Sequence, residues 1–384
     1  MMRETMRRSA GLRVLMSADP IGGVWTYALD LAAGLHAYDV QVILATMGAP
    51  LSMAQRCAVG ALPNVRLEES HFRLEWMPEP WHDVAAAGVW LLELARRHDV
   101  HLVHLNHLVH ADLPFGVPVV TVAHACVLSW WESVRREQAP AYYDRYRREV
   151  RQSLQAAHSV ITVTHAMARR LQRHYGPLPD LAVIRNGRRS PSCAPVVKAP
   201  RIFTAGRLWD EAKNAAAVMR VATHVPWPVY LAGADACPHG YAPLNGDAFI
   251  RDRRAVRMLG QLPAGAMERE YRRTAIYVLP ARYEPFGLSI LEAAQAECAL
   301  VLGDIDSLRE LWDGVAVFVA PDDDVAMATA LRALIADPAR RLALGHAARQ
   351  RATSFRHETF VQEYLVAYRT MLGMRSGTFD GVHR

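Results

Sequence analysis

Lysine is almost missing from this chain. Of 44 basic residues only Lys198 and Lys213 are lysines, the rest being arginine. Where arginine serves nearly everywhere, a retained lysine marks a position that wants a compact ammonium rather than a planar fork, and Lys213 becomes a candidate on that ground. Cysteine is scarce too. Cys57, Cys126, Cys193, Cys237 and Cys298 are odd in number, scattered and without Cys-x-x-Cys spacing, which argues against a disulfide framework and against a zinc site. No stretch approaches the roughly 18 apolar residues of a membrane-spanning helix. The basic start (Arg3, Arg7, Arg8) runs into Ser-Ala-Gly-Leu-Arg rather than an apolar export segment. A reducing cytoplasm is therefore the expected compartment, with no resident metal or cofactor and no nucleic-acid partner.

What is present is ordinary globular composition, 51% hydrophobic and 21% charged over 384 residues, about two domains by size. Short aliphatic runs alternate with helical patterns at 12–16, 25–35, 40–45, 100–105, 117–122, 159–163 and 181–184. Such βαβ punctuation implies a parallel sheet. The alternation breaks at 188–201, which carries Pro191, Pro195 and Pro200 and reads as a linker. A second series follows at 202–205, 214–222, 229–232, 256–259, 276–279, 300–302 and 315–319, then a helix read over 325–351 and a last one from about 359 to 372. The expected organisation is a first Rossmann-like domain at 1–190, a second at 198–358, and a C-terminal helix within 359–384 returning to the first.

Chemistry concentrates in Glu284-Pro285-Phe286-Gly287-Leu288-Ser289-Ile290-Leu291-Glu292. Pro285 holds Glu284 extended, Gly287 lets backbone approach a ligand closely, and the apolar run after it opens a helix whose first amides suit an anion. Ser289 and Glu292 also spell a capping box, a purely structural reason for Glu292. Glu284 has no such explanation.

With Gly206-Arg207-Leu208 after a strand, Lys213-Asn214 shortly beyond, Leu279-Pro280 closing another strand, Gly22-Gly23 in the first strand-to-helix turn, His124 at a strand end and Asn186-Gly187 before the linker, the chain resembles the retaining GT-B glycosyltransferases of family 4. The resemblance spans nearly the whole chain. It implies two Rossmann-like domains facing across a cleft, the first for the acceptor and the second for a nucleotide diphosphate sugar. By the same resemblance, Glu284 meets the donor sugar's hydroxyls and Glu292 the ribose. Arg207 and Lys213 neutralise the leaving diphosphate, helped by amides near Phe286, Gly287 and Leu288. Gly23 lies against the donor and His124 faces its sugar. Gly22, His107 and Trp130 are placed on the acceptor side. Retention is expected by front-face attack without metal, the departing phosphate oxygen taking the proton of a sugar, lipid-linked or small-molecule acceptor. A nucleotide-sugar 2-epimerase and a non-catalytic nucleotide-binding scaffold are the competing readings.

Departures from the family pattern are Arg185, Cys298-Ala299-Leu300 and Gly303-Asp304-Ile305-Asp306-Ser307. The ladder His98, His101, His104, His107, His110 suggests a metal, but neighbouring side chains of a strand face opposite ways, so convergence is not expected. Asp322-Asp323-Asp324 after Pro321 reads as a helix cap rather than a metal motif. The basic helix expected over 135–151 reads first as a solvated face, with peripheral contact to anionic lipid as the second reading.

Overall fold

The computed structural model describes residues 11–178, 180–190, 196–236 and 255–373. Cys193, Cys237 and the linker prolines Pro191 and Pro195 lie outside these.

Seven parallel strands form the first sheet: β1 (Arg13–Ala18), β2 (Gln41–Thr46), β3 (Val65–Glu69), β4 (Leu102–Leu105), β5 (Val119–Ala123), β6 (Ser159–Thr162) and β7 (Leu181–Val183), in spatial order β3-β2-β1-β4-β5-β6-β7. Six more form the second: β8 (Ala199–Ala205), β9 (Val229–Ala232), β10 (Val256–Gly260), β11 (Thr274–Leu279), β12 (Ala299–Gly303) and β13 (Val317–Val319), ordered β10-β9-β8-β11-β12-β13. The central strands are apolar on both faces because helices cover both. Leu15, paired in register between Ile43 and Val103, is fully buried, as is Met16 on the opposite face. Each such side chain contributes about 1.5–3 kcal/mol by burial.

Each expected strand has an observed counterpart, and β3 is additional. Its sequence Val-Arg-Leu-Glu-Glu is only half-buried at the sheet edge, so the apolar alternation that announces a strand is weak there. The helix expected over 325–351 is two, Asp324–Ala336 and Pro338–Ala352, because Pro338 occupies the first turn of the second while Asp337 accepts from the Arg340 amide. The basic stretch is also divided. A short helix Val127–Trp130 runs into a wide turn that ends at Arg136, whose φ is 58°, and the helix proper is Asp144–Ala156.

In both sheets strand order reverses direction between two central neighbours, β1/β4 in the first and β8/β11 in the second. Loops leaving the carboxyl ends of those strands part to opposite faces and open a crevice, where ligands bind in open α/β sheets. The two crevices face each other across a cleft. The terminal helix His357–Met371 crosses back and packs on helix Gly23–Leu35, with Phe360, Tyr364 and Tyr368 joining the first domain's core.

Candidate active site

On the second domain, the turn after β8 presents Arg207 and Lys213. Asp210 fixes this turn by accepting from the Ala212 amide at 3.0 Å, and its other oxygen meets the Arg207 guanidinium at 2.8 Å. Burial pushes the Asp210 carboxyl up, but Arg207, Lys213 and the Trp130 indole outweigh it and hold the group below its ordinary value. Asn214, in the left-handed region at φ 56°, donates from Nδ2 to the carbonyls of Pro280 (3.0 Å) and Pro321 (2.7 Å). This explains the Lys-Asn pairing: the asparagine ties the lysine's turn to the end of β11. Lys213 Nζ then lies 2.5 Å from Glu284 Oε2, with both side chains nearly buried, at 15% and 11% exposure. Arg207 Nε is buried without a hydrogen-bond partner among the described residues.

Glu284 is further held by the Ser307 hydroxyl, which donates to its backbone carbonyl at 2.6 Å. The divergent 303–307 loop thus braces the motif. Gly287, at φ 90°, caps helix Leu288–Gln295, and a Cβ there would come within 2.6 Å of Ile290 Cδ1. The helix starts one residue before Ser289, and the expected capping box does not form. Ser289 Oγ is instead 2.8 Å from the Tyr277 hydroxyl. Glu292 is ion-paired at 2.6 Å with Arg188, which also reaches Asp30 of the first domain at 2.8 Å. Burial raises the Glu292 carboxyl, opposed by Arg188.

On the first domain, Gly22 (φ 82°) precedes helix Gly23–Leu35, and neither this helix nor Leu288–Gln295 has a side-chain cap. A Cβ on Gly22 would sit 3.4 Å from Arg207 Nη1, and one on Gly23 would sit 3.5 Å from Leu288 Cδ1. The head of helix Gly23–Leu35 therefore lies beside the Arg207 guanidinium and that of Leu288–Gln295 lies beside Gly23, with the leading amides of both uncapped. Uncapped amides from both domains beside a guanidinium suit an anion.

Beside it, the half-buried His124 makes an edge contact with Tyr27 at 4.4 Å and donates from Nε2 to Asn106 Oδ1 at 2.8 Å. Asn106 Nδ2 donates to the Ser17 carbonyl at 2.7 Å, which fixes the amide's orientation. His104 also points Nε2 at Asn106 Oδ1 (3.1 Å) and accepts at Nδ1 from Tyr368 (2.6 Å). Burial holds both imidazoles down at about 3, so they are neutral at physiological pH.

His107, expected on the acceptor side, lies just beyond the end of β4. It is 6% exposed, and both nitrogens are engaged inside the domain. The carbonyl of Val84 can only accept, so His110 donates to it from Nε2 (2.7 Å) and accepts at Nδ1 from His107 (2.8 Å), leaving His107 Nδ1 to accept from Ser17 Oγ (2.8 Å). This neutral relay supports the β1 and β4 ends from beneath. His101 accepts at Nδ1 from the Arg13 amide and His98 pairs with Glu68. No group of three or more potential metal ligands gathers among the described residues.

Trp130 lies at the domain junction, donating from Nε1 to Asp210 at 3.1 Å. Other crossings sit close by. The Cys126 amide donates to the Tyr283 hydroxyl (3.0 Å), Thr164 donates to the Pro285 carbonyl (3.1 Å), Arg135 pairs with Glu211 (2.6 Å), and Glu310 accepts from the His165 and Ala166 amides at the head of helix His165–Tyr175 (3.0 and 2.9 Å). The acidic run resolves as a cap and pairs: Asp323 accepts from the Ala326 amide, Asp322 meets Arg136 and Arg282, and Asp324 meets Arg220. No helix among the described residues is long and apolar enough to cross a membrane.

The family described as Glycosyltransferase Family 4 matches residues 21–189, and that described as Glycosyl transferases group 1 matches residues 199–337. The chain is a GT-B glycosyltransferase related to family 4. It is 26% identical to a glycogen synthase of Mycobacterium tuberculosis, over 89% of this chain and 91% of that protein, and 27% identical to an alpha-maltose-1-phosphate synthase of the same species, over 90% and 92%. Its fold matches sucrose-phosphate synthase from Thermosynechococcus elongatus with a TM-score of 0.78 at 17% identity, covering 94% of this chain and 99% of that one. It also matches Anabaena HepE in complex with UDP-glucose, with a TM-score of 0.72 at 16% identity over 94% and 100%. As a glycosyltransferase it works on a nucleotide-sugar donor. Glu75, Arg188 and Glu310 carry no local sequence signal, since each owes its place to partners distant in the chain.

Proposed function

We propose that this glycosyltransferase moves a hexose from a nucleotide diphosphate sugar to a hydroxyl of a glycan, glycolipid or small-molecule acceptor with retention, by front-face attack and without metal. The carrying observation is that two uncapped helix N-termini meet across the cleft, one of them beside Arg207, with Lys213 in the same turn as that arginine. As the bond from the anomeric carbon to the phosphate oxygen breaks, charge develops on the diphosphate, and preorganised donors aimed there stabilise it. The departing oxygen takes the acceptor's proton, and the acceptor oxygen bonds the same face of the sugar.

In this reading the second domain, from about residue 198, holds the donor and the first holds the acceptor. Glu284, held by its pair with Lys213, accepts hydrogen bonds from sugar hydroxyls. The Gly23, Phe286, Gly287 and Leu288 backbone lines the diphosphate. Glu292 accepts from the ribose while sharing Arg188. His124 commits its N–H to Asn106 and offers Nδ1 to a sugar hydroxyl. Gly22 and Trp130 border the acceptor. A lone carboxylate beside the sugar supports charge stabilisation rather than the paired acid and nucleophile of a glycosidase. HepE was solved with UDP-glucose, which makes that donor the first to test. Glu284→Gln is expected to abolish transfer from a panel of UDP-, GDP-, ADP- and dTDP-sugars while the protein still unfolds cooperatively; wild-type turnover in the variant refutes the assignment.

A further inference from the structure

The turn leaving β1, Asp19-Pro20-Ile21-Gly22-Gly23, opens with a carboxylate three residues before the glycine that meets Arg207. Asp19 Oδ1 accepts from the Ile21 amide at 2.8 Å, which anchors it inside the turn that caps helix Gly23–Leu35. The charged groups that act on it come from two other elements. Arg207, from the turn after β8, lies against Gly22 of this same turn and favours the ionised form. Glu75, from the segment before helix Trp81–Arg97, disfavours it. Glu75 is 5% exposed. One of its oxygens accepts from the Leu108 amide at 2.9 Å, and the other is buried with no hydrogen-bond partner among the described residues. A carboxylate thus sits in the turn that meets Arg207, and a second, buried carboxylate acts on it.

Resting on the donor-site reading above, we infer that Asp19 meets the donor's diphosphate as a neutral carboxylic acid and donates a hydrogen bond to a phosphate oxygen, so that donor binding takes up one proton. Two negative groups cannot share this crevice cheaply, and Arg207 cannot fully serve both. Burial already raises Asp19 to about 7. A diphosphate that draws Arg207 toward itself raises it further. The proton comes from solvent at binding and stays on the carboxyl, and its hydrogen bond strengthens as charge develops on the leaving oxygen. No covalent bond to Asp19 changes.

The sign follows from linkage. Above the free value and below the bound one, binding takes up a proton, so affinity falls with rising pH, by up to about tenfold per unit. Below about pH 6 it is flat. His124 is the rival proton acceptor, but from about 3 it would have to rise by roughly four units to titrate in this window.

The experiment uses the full chain and the tightest binder among UDP-, GDP-, ADP- and dTDP-glucose found by thermal shift. These diesters have no ionisation near neutrality, so any proton exchanged belongs to the protein. Calorimetric titration at about pH 8 in buffers of different ionisation enthalpy counts the protons. Wild type and His124→Gln are expected to take up close to one. Asp19→Asn, which retains an oxygen for the Ile21 amide and a donor for phosphate, is expected to take up none and to bind equally at pH 6 and 8. Uptake near zero in wild type, uptake persisting in Asp19→Asn, or loss of binding by folded Asp19→Asn at every pH overturns the inference alone. Binding of none of the four sugars overturns the donor-site reading and this inference with it.

Discussion

Replacing Lys213 by methionine separates what the Lys213–Glu284 pair does for stability from what it does for transfer. The pair lies in the cleft wall at 2.5 Å, with 15% and 11% side-chain exposure. Removing the ammonium leaves the Glu284 side chain without its partner in a site that has already lost most of its water. Breaking such a pair from one side costs about 3–5 kcal/mol, against about 0–1 kcal/mol for an exposed pair. The wall position favours the low end, about 3 kcal/mol. For a domain of this size each kcal/mol moves the melting temperature by about 2–4 °C, so the donor-domain transition should drop by about 6–12 °C. Glu284→Gln keeps an amide oxygen facing the ammonium and should cost less, about 1–2 kcal/mol. The double variant removes both charges and should recover about 2 kcal/mol relative to the sum of the singles. Urea unfolding of the four proteins measures this directly, and the coupling should survive added salt because a buried pair is poorly screened. Transfer should remain lost in all three variants. Additive single effects, or wild-type stability in Lys213→Met, would refute the reasoning.

Two further outcomes follow from local geometry. Gly287→Ala places a Cβ 2.6 Å from Ile290 Cδ1 in a left-handed residue at φ 90°; it should lose at least about 1–2 kcal/mol of stability and weaken nucleotide-sugar binding, and a thermal shift equal to wild type would contradict the cap. His104 and His124 are held neutral to about pH 3 by burial, whereas in the unfolded chain they take up protons below about 6.5; stability should therefore fall on acidification through that window by about 1.4 kcal/mol per pH unit for each histidine, and denaturation midpoints unchanged between pH 6.5 and 5 would count against it.

The sheets were legible because their central strands are apolar on both faces, which ties pattern to structure within a few residues. β3 was not, since Arg66, Glu68 and Glu69 interrupt the apolar alternation of a half-buried edge strand. Pro338 was a legible stop that the reading over 325–351 passed over. Within the site, Lys213, Glu284 and Gly287 stood out from local signals: a rare lysine, a carboxylate before a proline, a glycine before a helix. Arg188 sat in what read as linker. Its meaning lies in Asp30, 158 positions earlier, and Glu292, far downstream. Asp210 likewise joins a turn of its own to Trp130 across the cleft. Sequence reports local chemistry well, and a two-domain site depends on pairs no local pattern contains.

Those pairs also constrain how a donor can bind. Arg207 with Asp210, Lys213 with Glu284, and Arg188 with both Glu292 and Asp30 give three cations at or beside the cleft carboxylate partners from the chain itself. Such cations need counter-charges to be stable where they are. An entering diphosphate therefore cannot simply add its Coulomb attraction to these cations; it must share them. Each shared cation leaves a carboxylate that needs new hydrogen bonds, and in the proposed reading a nucleotide sugar brings hydroxyl donors of its own, from the sugar for Glu284 and from the ribose for Glu292. A bare diphosphate brings only the negative charge. The arrangement consequently favours the complete donor over its fragments, because hydroxyls and phosphates must arrive together for every exchanged partner to be satisfied.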